Sequence, residues 1–370
     1  FALYRLVSER LSSRSAIFVS TLFYLNPKII MLSSIAKPDN IYFGYLFLSL
    51  HLIILWQEKK EMKYFYLSAL CTGFSLATKY HGLFWALSIG SLLLILIFYD
   101  KRFNIGNKTK NVISYVFISF IIVSPFYLRN FIATGDPIWP YGWDFFESSY
   151  WSQRLNDKYS SWQQGPGDSL WNYITILWNI TLNQELWVDG YRIPYLPVQL
   201  ALLPGIIFFK NHLTQRQLIF YSILIWVSLV YYTLWFFTYQ QLRYFLPVMI
   251  ILLIPCSQIF WIMVGKNSFR VVASIFITSV LLFSMAYAIL NTRQYLPVVF
   301  SFETKNAFLD DKVSFYKDIK WLNDNVSDDS IIFFIHLKPY YLEKKYVIPA
   351  GYETPKFINF DDAEFYKYLV

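Results

Sequence analysis

Nine long apolar stretches constrain this chain more than any other feature of it. They run over Ala16–Ala36, Ile41–Trp56, Tyr64–Thr78, Leu83–Tyr99, Val112–Leu128, Leu196–Phe209, Leu218–Phe237, Tyr244–Val264 and Val271–Leu290. A bilayer core takes roughly 20 apolar residues per helix, fewer where the membrane is thinned. No water inside it can satisfy an open strand edge, so the backbone bonds must close within helices. The expected fold class is a polytopic α-helical membrane protein. Composition agrees, at 56% hydrophobic and only 15% charged, against about a quarter charged in soluble domains. Cys71 and Cys256 both lie in apolar stretches, which supports neither a disulfide framework nor a zinc site.

Charge then orients the stretches. Alternation divides the short loops into two sets. Phe1–Arg14, Gln57–Lys63, Asp100–Asn111, Lys210–Gln217 and Gly265–Arg270 carry fourteen Lys or Arg, whereas the other set carries only Lys37, Lys79 and Arg243. Positive residues mark the cytoplasmic side of short loops. Lys37–Asn40, Lys79–Gly82, Arg129–Arg192, Tyr239–Arg243 and everything after Asn291 are therefore expected outside a bacterial cytoplasmic membrane. The net charge of +8 resolves into −3 for Ser301–Val370 and +11 for the rest. That excess reads as membrane topology, and no nucleic-acid partner is expected.

Two places fit the simple pattern poorly. Asn26-Pro27-Lys28 interrupts the first span, so that either the helix is kinked there or Lys28 lies nearer an interface than counting suggests, and Tyr64–Thr78 is short enough to need burial in a bundle or a thinned bilayer. The outer loop, 129–195, is too long for a connector. It holds seven of the thirteen Trp, a residue that prefers the membrane–water boundary, so helices lying on the outer surface are expected there. Residues 1–300 thus form a transmembrane domain and 301–370 a small extracytoplasmic α/β domain. In the latter, Val313–Asn325 reads as an amphipathic helix and Ser330–His336 and Lys345–Ile348 as strands. Phe1–Val7 reads as the tail of a helix begun upstream, so an N-terminal part is expected to be missing.

Candidate chemistry collects on the outer helix ends. Pro125 and the Gly135-Asp136-Pro137 turn are both expected to break helix, leaving Arg129 and Asn130 just past the end of a span. With Asp39, Lys79, His81, Asp136, Arg243 and Tyr244 they come from five helix ends on one face. Lys79 and Arg243 oppose the charge bias, and such residues need a local anion. A phosphate would supply one, and a carboxylate beside it would serve as base or metal ligand. Each residue also has a plain structural reading. Asp39 can cap the following helix, Arg129 and Lys79 can snorkel to headgroups, His81 can be a polar tip at the interface, and Arg243 can belong to a polar turn with Gln240 and Gln241.

Ala77-Thr-Lys79-Tyr-His81-Gly82, the Pro125…Arg129-Asn130…Gly135-Asp136-Pro137…Pro140 string, and Gln240-Gln-Leu-Arg243-Tyr244-Phe-Leu-Pro247 resemble the GT-C superfamily of membrane glycosyltransferases. More narrowly they are similar to its protein-mannosyltransferase-like and aminoarabinose-transferase-like members. The resemblance implies a GT-C-like bundle with juxtamembrane helices, and inverting transfer of a sugar from a polyprenyl-phosphate donor to the hydroxyl of a glycolipid, glycan or protein. It implies that Asp39 is a second acidic residue, the main catalytic acid lying in the missing N-terminal loop. It places Lys79, Arg129 and Arg243 near the donor phosphate, with His81, Asn130, Asp136 and Tyr244 as further contacts. No cofactor is implied, and a divalent metal on Asp39 is compatible with it. The competing reading is a flippase or transporter for a lipid-linked sugar; against it, no span carries paired intramembrane acids and no inverted repeat is visible. A nucleotide-binding loop is also lacking.

Overall fold

A computed structural model describes residues 1–34, 37–148, 151–153, 155–157, 165–187, 197–333 and 339–347. The chain divides into two compact units, Phe1–Phe146 with Lys158–Ile289, and Glu147–Asp157 with Leu290–Val370. The first unit is helical. It opens with α1 (Ala2–Ser8), α2 (Ser13–Tyr24) and α3 (Pro27–Ser33), followed by α4 (Asp39–Lys59), α5 (Met62–Thr78), α6 (Gly82–Tyr99) and α7 (Ile105–Thr134). Three further long helices cover Gln215–Thr238, Leu242–Gly265 and Asn267–Thr292. Among the described residues six helices are long and apolar enough to cross a membrane, or seven when α2 and α3 count as one broken span.

The departures from nine stretches have local causes. Asn26-Pro27 bends α2 against α3 by 63°, the first of the two alternatives open from the sequence, with the Asn26 side chain capping α3 through the Lys28 N–H. The expected span Leu196–Phe209 is not continuous. It forms Pro197–Leu202 and Gly205–Phe209, broken at Leu203-Pro204, where proline cannot donate a backbone bond and restrains the residue before it. Leu196, Ile35 and Ala36 lie outside the described residues.

Pro125 does not break helix. It lies inside α7, which runs 30 residues to a left-handed Gly135 at φ 75°. A proline at this position frees the carbonyl four residues back, and the Ser124 hydroxyl donates to Ile121 O at 3.0 Å. A neighbouring hydroxyl thus restores the lost bond, as membrane helices require. Arg129 and Asn130 therefore belong to the last turns of α7 rather than to a loop.

α5, at 17 residues, is buried in the bundle as its length demands, with Phe65, Ser68, Ala69 and Thr72 inside. Polar bonds clamp it to its neighbours. The Tyr115 hydroxyl of α7 meets Ser68 Oγ at 2.9 Å and Thr72 Oγ1 at 2.8 Å, Ser68 Oγ donates to Ser49 O of α4 at 2.9 Å, and Ser119 Oγ donates to Ala69 O at 2.9 Å. Between membrane helices, where burial of apolar surface gives no preference over lipid, such bonds and close packing supply the association.

The connection after α7 holds short helices at Trp143–Phe146, Leu170–Ile174 and Ile176–Leu182. Trp171 and Trp178 are exposed, whereas Trp187 is buried; Trp162 lies outside the described residues. In the second unit, Lys305–Lys312 and Tyr316–Asn325 are helices. The predicted Val313–Asn325 helix starts later because Phe315 sits at φ 65°. Two parallel strands, β1 (Ile331–Phe333) and β2 (Lys345–Val347), pair Ile332 with Tyr346. The remainder of the two predicted strands, 334–336 and 348, lies outside the described residues. Ile319, Leu322, Val326, Ile332 and Leu342 form this unit's core.

Replacing Tyr115 by Phe should lower stability by about 1 kcal/mol, because it removes only the hydroxyl that joins α5 to α7. Thermal unfolding in detergent checks this; an unchanged midpoint would mean the clamp contributes nothing.

Candidate active site

Asp39 opens α4 and is 1% exposed, with Pro38 rather than Asp39 at the cap position and no side-chain capping bond. The capping role is therefore not what its carboxylate does. Oδ1 accepts from Lys79 Nζ at 2.6 Å, and Oδ2 is buried without a hydrogen-bond partner among the described residues. Lys79 ends α5 in an extended conformation, from which its side chain reaches across to α4. The turn that follows is tight. A Cβ on Gly82 would stand 2.5 Å from Ser75 O and 2.7 Å from the Leu76 Cα, so only glycine lets α6 begin this close to α5.

Tyr244 organises the other half. Its ring stacks on the buried His81 ring at 3.6 Å between centroids, with 23° between planes. Lys79 Nζ lies 4.2 Å and Arg243 Cζ 4.7 Å from the same centroid, well inside the range of a cation–π attraction. Two tyrosines hold the backbones beneath. Tyr42 Oη donates to His81 O at 3.0 Å, Tyr231 Oη donates to Tyr244 O at 2.8 Å, and the two hydroxyls meet at 3.3 Å.

Electrostatics follow from this crowding. Burial is the largest influence on Lys79 and lowers its pKa to about 8; Asp39 opposes that shift, while Arg243 and Lys37 add to it. Burial, then the cations of Lys79 and Arg243, push His81 well below its ordinary value. His81 is consequently neutral at physiological pH. It packs Tyr244 and adds no charge.

Tyr80 carries the connection to α7. Its ring stacks on Tyr127 at 6.3 Å. Its hydroxyl donates to Trp139 O at 2.7 Å and accepts from Asn130 Nδ2 at 2.7 Å. Arg129 Nη2 in turn donates to Asn130 Oδ1 at 3.1 Å, and its guanidinium covers Phe126 at 5.0 Å. Burial is the main reason the Tyr80 phenol is raised to about 12, so it stays protonated and fixed as a donor. Asp136 is fully buried, and its Oδ1 accepts from Ile138 N at 2.8 Å.

Of the sequence candidates, Asp39, Lys79, His81, Arg243 and Tyr244 therefore form one contiguous cluster. Asn130 and Arg129 connect with it through Tyr80, Arg129 being exposed, and Asp136 shapes the turn after α7. Residues 1–128 match the family model of dolichyl-phosphate-mannose-protein mannosyltransferases. The match supports a GT-C-type membrane glycosyltransferase. No curated protein and no solved structure matches the chain. The matched stretch carries Asp39, Lys79 and His81, whereas Arg129, Asn130, Asp136, Arg243 and Tyr244 lie beyond it. Among the described residues no three His, Cys, Asp or Glu side chains converge as metal ligands.

Two cavities lie in this part of the bundle, the smaller of them against His81. One of about 210 Å³ is bounded by Tyr80, His81, Phe84 and Tyr239. The other, about 510 Å³ and mostly apolar, runs between α5, α6 and α7 past Leu87, Tyr115 and Phe120. Leu83 and Tyr127 line both.

Sequence reasoning did not single out Tyr42 or Tyr231. Tyr42 was accessible in principle, since it follows Asp39 by three residues and so shares its helix face. Tyr231 lies mid-helix among other aromatics and carries no local signal.

Replacing Lys79 by Met strands a buried carboxylate and should cost about 3–5 kcal/mol, while Lys79→Met with Asp39→Leu should recover most of it. Chemical or thermal unfolding of the two variants in one detergent gives the comparison. Equal loss in both would show that the pair is not coupled.

Proposed function

We propose that this glycosyltransferase moves a sugar from a polyprenyl-phosphate carrier to an acceptor hydroxyl on the extracytoplasmic face of a bacterial cytoplasmic membrane. The observation that carries the reading is the convergence of Lys79 and Arg243 on one aromatic ring, with one carboxylate, Asp39, beside them. The cluster keeps a net positive charge at the end of an apolar bundle, a costly arrangement unless an anion completes it. A lipid-linked phosphate is suited to that place because apolar cavities walled by Leu83 and Tyr127 lie beside His81 and could take its chain.

The chemistry balances on these groups. The acceptor oxygen forms a bond to the anomeric carbon as the bond from that carbon to the phosphate oxygen breaks. The electron pair leaves with the carrier phosphate, whose charge goes from one negative to two. Lys79 and Arg243 stabilise the carrier more as this charge grows, which favours the transition state over bound donor. The acceptor proton passes to a carboxylate. Asp39, whose Oδ2 has no hydrogen-bond partner among the described residues, is the candidate for that role in this chain. Arg129, on the far side of Tyr80, meets the donor from α7, and Asn130 fixes its direction.

Arg243→Gln should lower kcat/KM for a polyprenyl-phosphate hexose by about 10²–10³, and Arg129→Gln by less, because Arg129 is exposed. The assay uses the protein in liposomes, offered lipid-linked and nucleotide-linked labelled sugars. Label moved only from the nucleotide donor would end this reading, and label that crosses the bilayer with its attachment unchanged would make the protein a transporter.

Donor binding should also weaken as pH rises through about 8, where Lys79 loses its proton. A bound anion raises that pKa, so affinity is full below pH 8 and falls above it. Lys79→Arg, which stays charged, should move this limb upward. A wild-type binding curve that is flat from pH 7 to 9.5 would show that Lys79 does not meet the anion.

A further inference from the structure

The opposite end of the bundle carries a second basic recess, unconnected with the chemistry above. A cavity of about 710 Å³ lies where α2 and the Gln215–Thr238 helix begin, the Leu242–Gly265 helix ends and the Asn267–Thr292 helix starts. Arg243 and Gly265 stand at the two ends of one helix, about 33 Å apart at 1.5 Å per residue.

The cavity is lined by donors. Arg14, in the first turn of α2, makes no hydrogen bond or ion pair. Arg270 donates its Nε to Val264 O at 2.9 Å and has no acidic partner. The Trp261 indole N–H is buried without an acceptor, and the Gln258 amide is also unpaired. These statements hold among the described residues. No Asp or Glu lines the cavity, so nothing within it balances two guanidinium groups. An indole N–H shut away from water and left without an acceptor costs free energy. Such a set of donors calls for an anion with several acceptor oxygens.

The surroundings identify the source of that anion. From each arginine the helix leads within about a turn and a half to an apolar residue turned outward, Ile17 at 59% exposure on α2 and Ile275 at 61% on the Asn267–Thr292 helix. Leu11, Trp261 and Val264 line the cavity itself, and Trp favours the boundary between headgroups and chains. A free phosphate would use the arginines and leave these faces bare. A phospholipid uses both.

We propose that this cavity binds the phosphodiester headgroup of an anionic phospholipid. Arg14 and Arg270 hold the phosphate oxygens, Trp261 and Gln258 donate to the remaining acceptors, and the acyl chains lie along the flanks marked by Ile17 and Ile275. Basic recesses between helices on the positive side of a membrane protein are suited to such headgroups. The inference does not depend on the reaction catalysed at the other end.

The test takes purified protein stripped in a phospholipid-free detergent. Native mass spectrometry then follows retention of added phosphatidylglycerol and phosphatidylcholine, and thermal unfolding follows sodium phosphate alone. Wild type should retain one phosphatidylglycerol at least about tenfold better than phosphatidylcholine, a ratio set by the charge-assisted bonds. R14Q/R270Q should abolish the preference, and W261F should weaken retention severalfold. R14Q alone removes no bond of the fold, so a folding defect in the double variant leaves the single one to decide. Equal retention of the two lipids, or full preference in R14Q, overturns the proposal. So does stabilisation by sodium phosphate equal to that by phosphatidylglycerol.

Discussion

The ion pair between Asp39 and Lys79 is the interaction on which the rest of the site depends. It closes the gap between the first residue of α4 and the residue just past α5. Both helix dipoles favour it, since a carboxylate sits at a positive end and an ammonium at a negative one. In a place this buried neither charge is tolerable alone. Once the pair is set, the tight turn at Gly82 sends α6 back into the bundle and puts His81 under Tyr244. Arg243 then arrives beside Lys79 because it precedes Tyr244 on the same helix. One electrostatic contact thus aligns four helix ends.

A comparable device works at the other end with different chemistry. Arg10 is almost wholly buried, yet it donates to Leu6 O at 3.2 Å, Glu58 Oε2 at 3.1 Å and His51 Nδ1 at 3.0 Å. Arg216 donates to Glu58 Oε1 at 3.1 Å. The His51 Nδ1 must accept here, because a guanidinium can only donate. This network ties the loop after α1 to the end of α4 and the start of the Gln215–Thr238 helix. The Lys- and Arg-rich loops that the sequence shows as an orienting charge thus also staple the bundle.

How much of this could be read beforehand varied with the range of the interaction. The long helices were legible because twenty apolar residues leave the backbone little else to do. Pro125 was misread as a break, since proline alone says nothing of the Ser124 hydroxyl that takes up the freed carbonyl. Pro204 did break a stretch, where no such bond forms among the described residues. The meeting of Asp39, Lys79 and Arg243 was foreshadowed by their expected common side and by the conflict of Lys79 and Arg243 with the charge bias. Their pairing was not, because distances between helix ends depend on packing that no single helix encodes. Arg129 illustrates the limit. Its place at the end of α7 groups it with the others, yet the fold puts Tyr80 and Asn130 between.

The hydroxyls of Tyr42 and Tyr231 hold His81 and Tyr244 through main-chain carbonyls rather than through side chains. A carbonyl is present whatever residue occupies the position. The frame of the site is therefore indifferent to the chemistry displayed at positions 81 and 244, and those two side chains can be exchanged during divergence without the helices losing their footing. A change of either side chain would leave the bonds of the anchoring tyrosines to those carbonyls in place.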